Sequence, residues 1–128
     1  MFKMLIGAFL LMAASAQTAQ QSGSQFRCNL NAMKPAERQR HAALGKQLWP
    51  AVSERTELPN GYAFRLDVDR ISPALVTEWM AMEQKCCPFF GFQLELQPEK
   101  GPVWMRLTGA PGVKDFIRLE FPAPSSSI

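Results

Sequence analysis

Two adjacent cysteines are the residues whose type and spacing most directly suggest chemistry. Cys86 and Cys87 follow Glu83-Gln-Lys85, and Pro88 comes directly after them. Neighbouring side chains of a helix point about 100° apart. Because a proline disfavours helical geometry in the residue before it, the helix is expected to end here, where both sulfurs can turn toward one centre. Thiolates are soft ligands that select ions such as Zn²⁺, Cu(I) or Hg²⁺.

Cys28 is the third and last cysteine of the sequence. An odd number leaves one free thiol beside a disulfide, or a thiol site without a disulfide. Three interpretations stay open: a bridge from Cys28 to Cys86 or Cys87, buried cysteines that pack as small apolar residues, and a site for a soft metal or metalloid ion. The first and third both require Cys28 to lie close to the pair. We expect this proximity because the largely apolar residues 26–30 can dock at the open end of the helix.

Three further residues are candidates for the surroundings of the thiols. His41, the single histidine, is a candidate fourth ligand if its helix lies nearby. Glu83 can accept a proton or orient a ligand, although a solvated helix residue is the simpler interpretation. Lys85 can partly offset the negative end of the helix dipole, which disfavours a thiolate. Since nothing places a general base, a binding protein is favoured over a thiol redox enzyme, which stays a second alternative.

The first 16 residues have the pattern of a cleavable signal peptide. Lys3 supplies a positive charge, residues 4–14 are almost entirely apolar, and Ala14-Ser15-Ala16 is a small-x-small cleavage pattern. This apolar run is too short to cross a hydrocarbon core of ~30 Å. The sequence therefore predicts export to the periplasm or the medium, with no membrane anchor after processing. Export makes a disulfide more plausible than it is in the cytosol.

Composition excludes some other functions. The chain has 128 residues, 47% of them hydrophobic and 20% charged, with a net charge of +3. Its basic residues are scattered among acids, so no basic patch for nucleic acid is predicted. Residues 17–25 are expected to be a flexible linker, residues 26–121 a single domain and residues 122–128 a disordered tail.

Hydrophobic periodicity and turn residues indicate how the domain is built. Helices are predicted from about Pro35 to Val52, with Pro50 ending the regular part near Trp49, over residues 73–87 and over residues 113–121. Strands are predicted at 53–58, 62–68, 90–96 and 103–108, as two hairpins. The expected fold is α+β: a four-stranded antiparallel sheet with about three helices packed on one face.

Three segments together resemble a group of small uncharacterised bacterial proteins. They are Cys28-Asn-Leu, Glu83-Gln-Lys-Cys-Cys-Pro-Phe-Phe90 and Gly101-Pro-Val-Trp-Met-Arg-Leu-Thr-Gly109. The resemblance covers roughly residues 26–121 and implies that the three cysteines belong to one pattern. Many members of the group lack a leader, which implies a cytosolic setting where metal or redox use outweighs a structural bridge. The leader of this chain departs from that pattern and makes a bridge plausible again.

Overall fold

The computed structural model describes residues 26–124, and the predicted signal peptide, the linker and the end of the tail lie outside that range. Within it, the α-helices are α1 (Pro35–Leu48), α2 (Pro73–Cys86) and α3 (Val113–Glu120). The strands are β1 (Val52–Leu58), β2 (Gly61–Leu66), β3 (Gly91–Leu96) and β4 (Val103–Thr108). Short 3-10 turns at Leu30–Ala32 and Trp49–Ala51 precede and follow α1.

The four strands form one antiparallel sheet in the order β1-β2-β4-β3. Two hairpins, β1–β2 and β3–β4, are joined through the central pair β2–β4, which places Phe64 opposite Met105. The chain thus runs strand, strand, helix twice after α1. This confirms the predicted α+β fold with a four-stranded antiparallel sheet and three helices.

The inner face of the sheet supplies much of the core. In β4 alternate residues are buried, because successive side chains of a strand point to opposite faces, whereas in β2 every residue except Arg65 is buried. The fully covered members of this set are Phe64, Met105 and Leu107, each with 0% exposure. From the helical layer, Leu44, Val76, Trp79 and Ile117 pack into the same cluster.

Local signals set the helix ends. Pro35 and Pro73 are the first residues of α1 and α2, where a missing N–H leaves no hydrogen bond unmade. The Ser72 hydroxyl accepts a hydrogen bond from the Leu75 N–H at 3.4 Å and caps α2. At its other end, α2 stops at Cys86, ahead of Pro88. The helix therefore ends where the sequence predicts.

One predicted strand is too long. The strand expected over 62–68 ends at Leu66, and Val68 lies in a turn with 40% of its surface exposed. The carboxylate of Asp67 accepts a hydrogen bond from the Asp69 N–H at 3.0 Å. Such local side-chain bonds favour a turn over an extended strand, which explains the early end.

Candidate functional site

The end of α2 brings one acid and two cysteines onto the same turn. The Cys87 N–H donates to the Glu83 carbonyl at 2.7 Å and completes the last helical turn. Residues three and four apart are neighbours on a helix surface, so Glu83 lies beside both Cys86 and Cys87. The pattern Glu-x-x-Cys-Cys therefore clusters one carboxyl and two sulfurs.

Cys28 is bonded to this turn. Cys28 and Cys87 form a disulfide with their Cα atoms 4.5 Å apart, which confirms the predicted proximity of Cys28 to the pair. The Asn29 N–H donates to the Cys86 carbonyl at 2.7 Å, so the backbone of this segment also satisfies the open end of the helix. Phe26 is buried and packs edge-on against Phe89, with ring centroids 5.3 Å apart. The N-terminal segment is thus held by apolar packing, a backbone hydrogen bond and a covalent bridge.

Cys86 remains a free, buried thiol beside the disulfide. Only 1% of the residue is exposed, and its Sγ lies 3.5 Å from the Cys87 Sγ. It donates to the Glu83 carbonyl at 3.4 Å. Burial, followed by the charge of Glu83, raises the pKa of this thiol to about 11. In this environment Cys86 is a protonated thiol at neutral pH.

Glu83 is buried, with 3% of its surface exposed, so the simpler interpretation of it as a solvated helix residue is wrong. Its Oε2 lies 2.5 Å from the His41 Nε2, and its Oε1 lies 3.1 Å from the Cys87 Sγ. A buried carboxyl group requires a polar partner, and His41 supplies it from α1. Among the described residues, Glu83 is the one acidic or basic residue that is buried.

His41 links the two longer helices at this point. Its ring stacks on Trp79 of α2, with centroids 5.9 Å apart and planes 12° from parallel. The side chain retains 17% exposure, so the ring lies at the mouth of the cluster rather than inside it. His41, the candidate ligand from α1, therefore lies close enough to Cys86 to share an ion with it.

Lys85 points elsewhere. Its Nζ lies 2.5 Å from the Glu37 Oε2 on α1, and the side chain is 52% exposed. Lys85 lies on the solvent side of α2, so its side chain faces away from Glu83 and the buried Cys86. Its charge neutralises Glu37, whose pKa is lowered by that contact.

A cavity of about 170 Å³ joins these groups. Its lining includes all three cysteines, His41, Glu83, Trp79 and, from the end of α3, Glu120. Three larger surface clefts, of about 400 to 530 Å³, are lined by neither cysteine nor histidine. Of these four, the smaller cavity alone is lined by side chains that can bind a soft metal ion. Nothing in the sequence predicts that Glu120 lies near the cysteines, because it reaches the cavity only through the packing of α3.

Two sets of potential metal ligands overlap in the cavity. One comprises Cys28, Glu83 and Cys87, and the other comprises His41, Glu83 and Cys86. Within each set, one ligand atom per residue lies within 4.8 Å of the others. The sulfurs of the first set are bonded to each other, so that set becomes available only when the disulfide is reduced. The second set contains no disulfide sulfur.

The chain matches no known family model, and no curated protein or solved structure is significantly similar to it. The resemblance to small bacterial proteins therefore stays a prediction from three short segments. In residues 26–124, no helix is both long enough and apolar enough to cross a membrane.

Proposed function

We propose that this is an exported small protein that binds a soft metal or metalloid ion through Cys28, Cys86 and Cys87. The observation that carries the proposal is the convergence of every cysteine of the chain, its single histidine and a buried acid on one cavity. These residues come from the N-terminal segment, α1 and α2, so sequence proximity explains only part of the cluster. Sulfur donors in such a group suit Zn²⁺, Cu(I), Hg²⁺ or trivalent arsenic.

Reduction of the disulfide is the step that opens this site. A thiol or phosphine reductant supplies two electrons, and two protons from water complete the Cys28 and Cys87 thiols. The sulfur of Cys86 already lies 3.5 Å from that of Cys87. Two sulfurs bound to one tetrahedral Zn²⁺ at about 2.3 Å are about 3.8 Å apart. The adjacent cysteines therefore approach the spacing that a shared ion requires without a rearrangement of α2.

A disulfide-bridged structural or interaction domain is the second candidate. The bridge itself favours it, since Cys28–Cys87 fastens the N-terminal segment to the end of α2. A disulfide also supports residence in an oxidising compartment, as the leader predicts. Under this alternative, Cys86 is a core residue and the reduced protein has no particular affinity for soft ions.

Arsenite titration of oxidised and phosphine-reduced protein separates the two candidates. Arsenite exchanges its three hydroxyl groups for three thiolate sulfurs and releases three water molecules. The reduced protein is expected to gain one arsenic atom and lose three hydrogens in native mass spectra, whereas the oxidised protein, with one thiol, gains none. Phosphine is the appropriate reductant because a dithiol would itself bind arsenite.

Variants identify the sulfurs. Cys28→Ser and Cys86→Ser each leave two thiols, and each is expected to weaken arsenite binding by at least about tenfold, the lower end of losses seen for groups around metal sites. Glu78→Gln is the matched control, because Glu78 lies on α2 but pairs with Arg40 on the surface. Equal, weak arsenite uptake by the reduced and oxidised proteins would reject the thiol site and favour the structural alternative.

A further inference from the structure

The second ligand set in the cavity uses neither sulfur of the disulfide. We propose that His41, Glu83 and Cys86 form a mixed nitrogen–oxygen–sulfur site for a borderline divalent cation of the zinc class, available while Cys28–Cys87 is intact. This site differs from the three-cysteine site in its donors, in the redox state that it requires and in the ion it prefers. It is also the site that an oxidising compartment leaves open, because the bridge is retained there.

The distances are close to those of a shared ion. With Zn–S of about 2.3 Å and Zn–O of about 2.0 Å, tetrahedral geometry separates sulfur and oxygen by about 3.5 Å. Cys86 Sγ and Glu83 Oε2 are 3.9 Å apart. A nitrogen and an oxygen on the same ion would be about 3.3 Å apart, whereas His41 Nε2 and Glu83 Oε2 are 2.5 Å apart. The imidazole must therefore retreat by less than about 1 Å, which its partial exposure permits.

The surroundings favour a cation. Glu83 supplies a buried carboxylate, and Glu120 of α3 lines the same cavity. When a cation binds, the Cys86 S–H bond breaks, its proton leaves to solvent and the sulfur bonds to the metal. The proton between His41 Nε2 and Glu83 Oε2 also leaves through solvent, so that both atoms can bind the metal while the imidazole keeps its proton on Nδ1. The metal charge then replaces the imidazole as the partner of the Glu83 carboxylate.

Three protein ligands beside a solvent-connected cavity match a known kind of zinc site. Structural zinc sites use four protein ligands, whereas catalytic ones use three and keep a fourth position for water or substrate. His41 lines the cavity and keeps 17% of its side chain exposed, so solvent reaches one of the three ligands directly. Imidazole, carboxylate and thiolate together suit Zn²⁺ better than Mg²⁺ or Ca²⁺, which prefer oxygen ligands alone.

Cobalt is a direct probe of this donor set. Oxidised full-chain protein, with the disulfide verified by mass after alkylation under denaturing conditions, is titrated with Co²⁺ and followed by absorption. The expected result is one equivalent of bound Co²⁺ with a thiolate-to-cobalt charge-transfer band that Zn²⁺ abolishes by displacement. Cys86→Ser should lose that band, and His41→Gln should bind Co²⁺ at least about tenfold more weakly. Glu78→Gln should bind like the parent protein.

The outcomes also separate this site from the three-cysteine site. Absence of the thiolate band in the oxidised protein, or parental affinity in His41→Gln, overturns the mixed-ligand site. The second criterion holds even if Cys86→Ser fails to fold, because His41 is only partly buried. Arsenite binding by the reduced protein without cobalt binding by the oxidised protein rejects this inference alone. The reverse pattern rejects the three-cysteine site and leaves the mixed-ligand site standing.

Discussion

The inner face of the sheet and the end of α2 are buried to nearly the same degree, but the first consists of apolar side chains and the second contains polar ones. Phe64, Met105 and Leu107 are fully covered and apolar, and their contacts follow from strand pairing. Cys86 and Glu83 are covered to nearly the same degree but carry a thiol and a carboxyl. The first region needs only shape and hydrophobicity, whereas the second needs specific partners for its polar atoms. Substitutions in the sheet are therefore expected to lower stability through lost apolar packing, and substitutions at the end of α2 through unpaired buried polar groups.

Truncation in the sheet should give the largest effect on stability. Phe64→Ala removes a fully buried ring, and comparable substitutions cost about 3–5 kcal/mol. Urea unfolding of the oxidised protein measures this loss. The variant should still show one free thiol and an intact disulfide, if enough of it remains folded to test. A loss of less than about 1 kcal/mol would show that the sheet core is not the stabilising region.

Reduction of the disulfide should be next in size. The bridge joins residues 59 apart in sequence. Disulfides typically stabilise the folded state by about 2–4 kcal/mol, largely because they restrict the unfolded chain. The midpoint of urea unfolding should therefore fall when phosphine is added. Cys28→Ser, which has no bridge to lose, serves as the control and should show no further response. Equal midpoints for the oxidised and reduced parent protein would contradict this expectation.

Alkaline pH should expose a smaller contribution from Cys86. Burial and the charge of Glu83 raise the pKa of the thiol from its ordinary value of 9.0 to about 11 in the folded protein. The unfolded chain loses this proton first, so it binds fewer protons than the folded chain between about pH 9 and pH 11, and stability falls across that window. Besides Glu83, the ionisable groups around the cavity are His41 and Glu120.

Comparison of variants isolates that contribution, because other groups also titrate at alkaline pH. The unfolding free energy of the parent minus that of Cys86→Ala should decline between pH 9 and pH 11. Glu83→Gln removes one cause of the raised pKa of Cys86 and should therefore narrow the pH range over which this difference declines. Glu78→Gln should leave that pH range unchanged. A difference between parent and Cys86→Ala that stays constant over this range would show that the buried thiol is not perturbed.

The sheet could be predicted from the sequence because its signals are local. Alternation through Tyr62, Phe64 and Leu66 and the proline–glycine turns define the hairpins with little reference to the rest of the chain. The largest error in a strand boundary, at Val68, arose where a side chain–backbone hydrogen bond of Asp67 competes with strand pairing. A single hydrogen bond of this kind favours a turn over a longer strand, and the spacing of hydrophobic residues does not predict it.

The site could be predicted only in part because its contacts are long-range. The proximity of Cys28 to the cysteine pair followed from the need for a segment at the open helix end. Which cysteine is bridged did not follow, since Cys86 and Cys87 are equivalent in the sequence. The burial of Glu83 depends on His41 from another helix, and Lys85 is turned away by Glu37. These outcomes depend on how α1 packs against α2.

X-ray absorption at the arsenic edge tests the central claim, that three sulfurs converge on one ion in the reduced protein. We predict three sulfur neighbours and no oxygen neighbour for arsenite bound to the reduced parent protein, and no more than two sulfur neighbours in Cys86→Ser. An arsenic atom in the parent protein with two sulfur neighbours, or with an environment unchanged by Cys86→Ser, would show that Cys86 is not a ligand and that the three-cysteine site does not form.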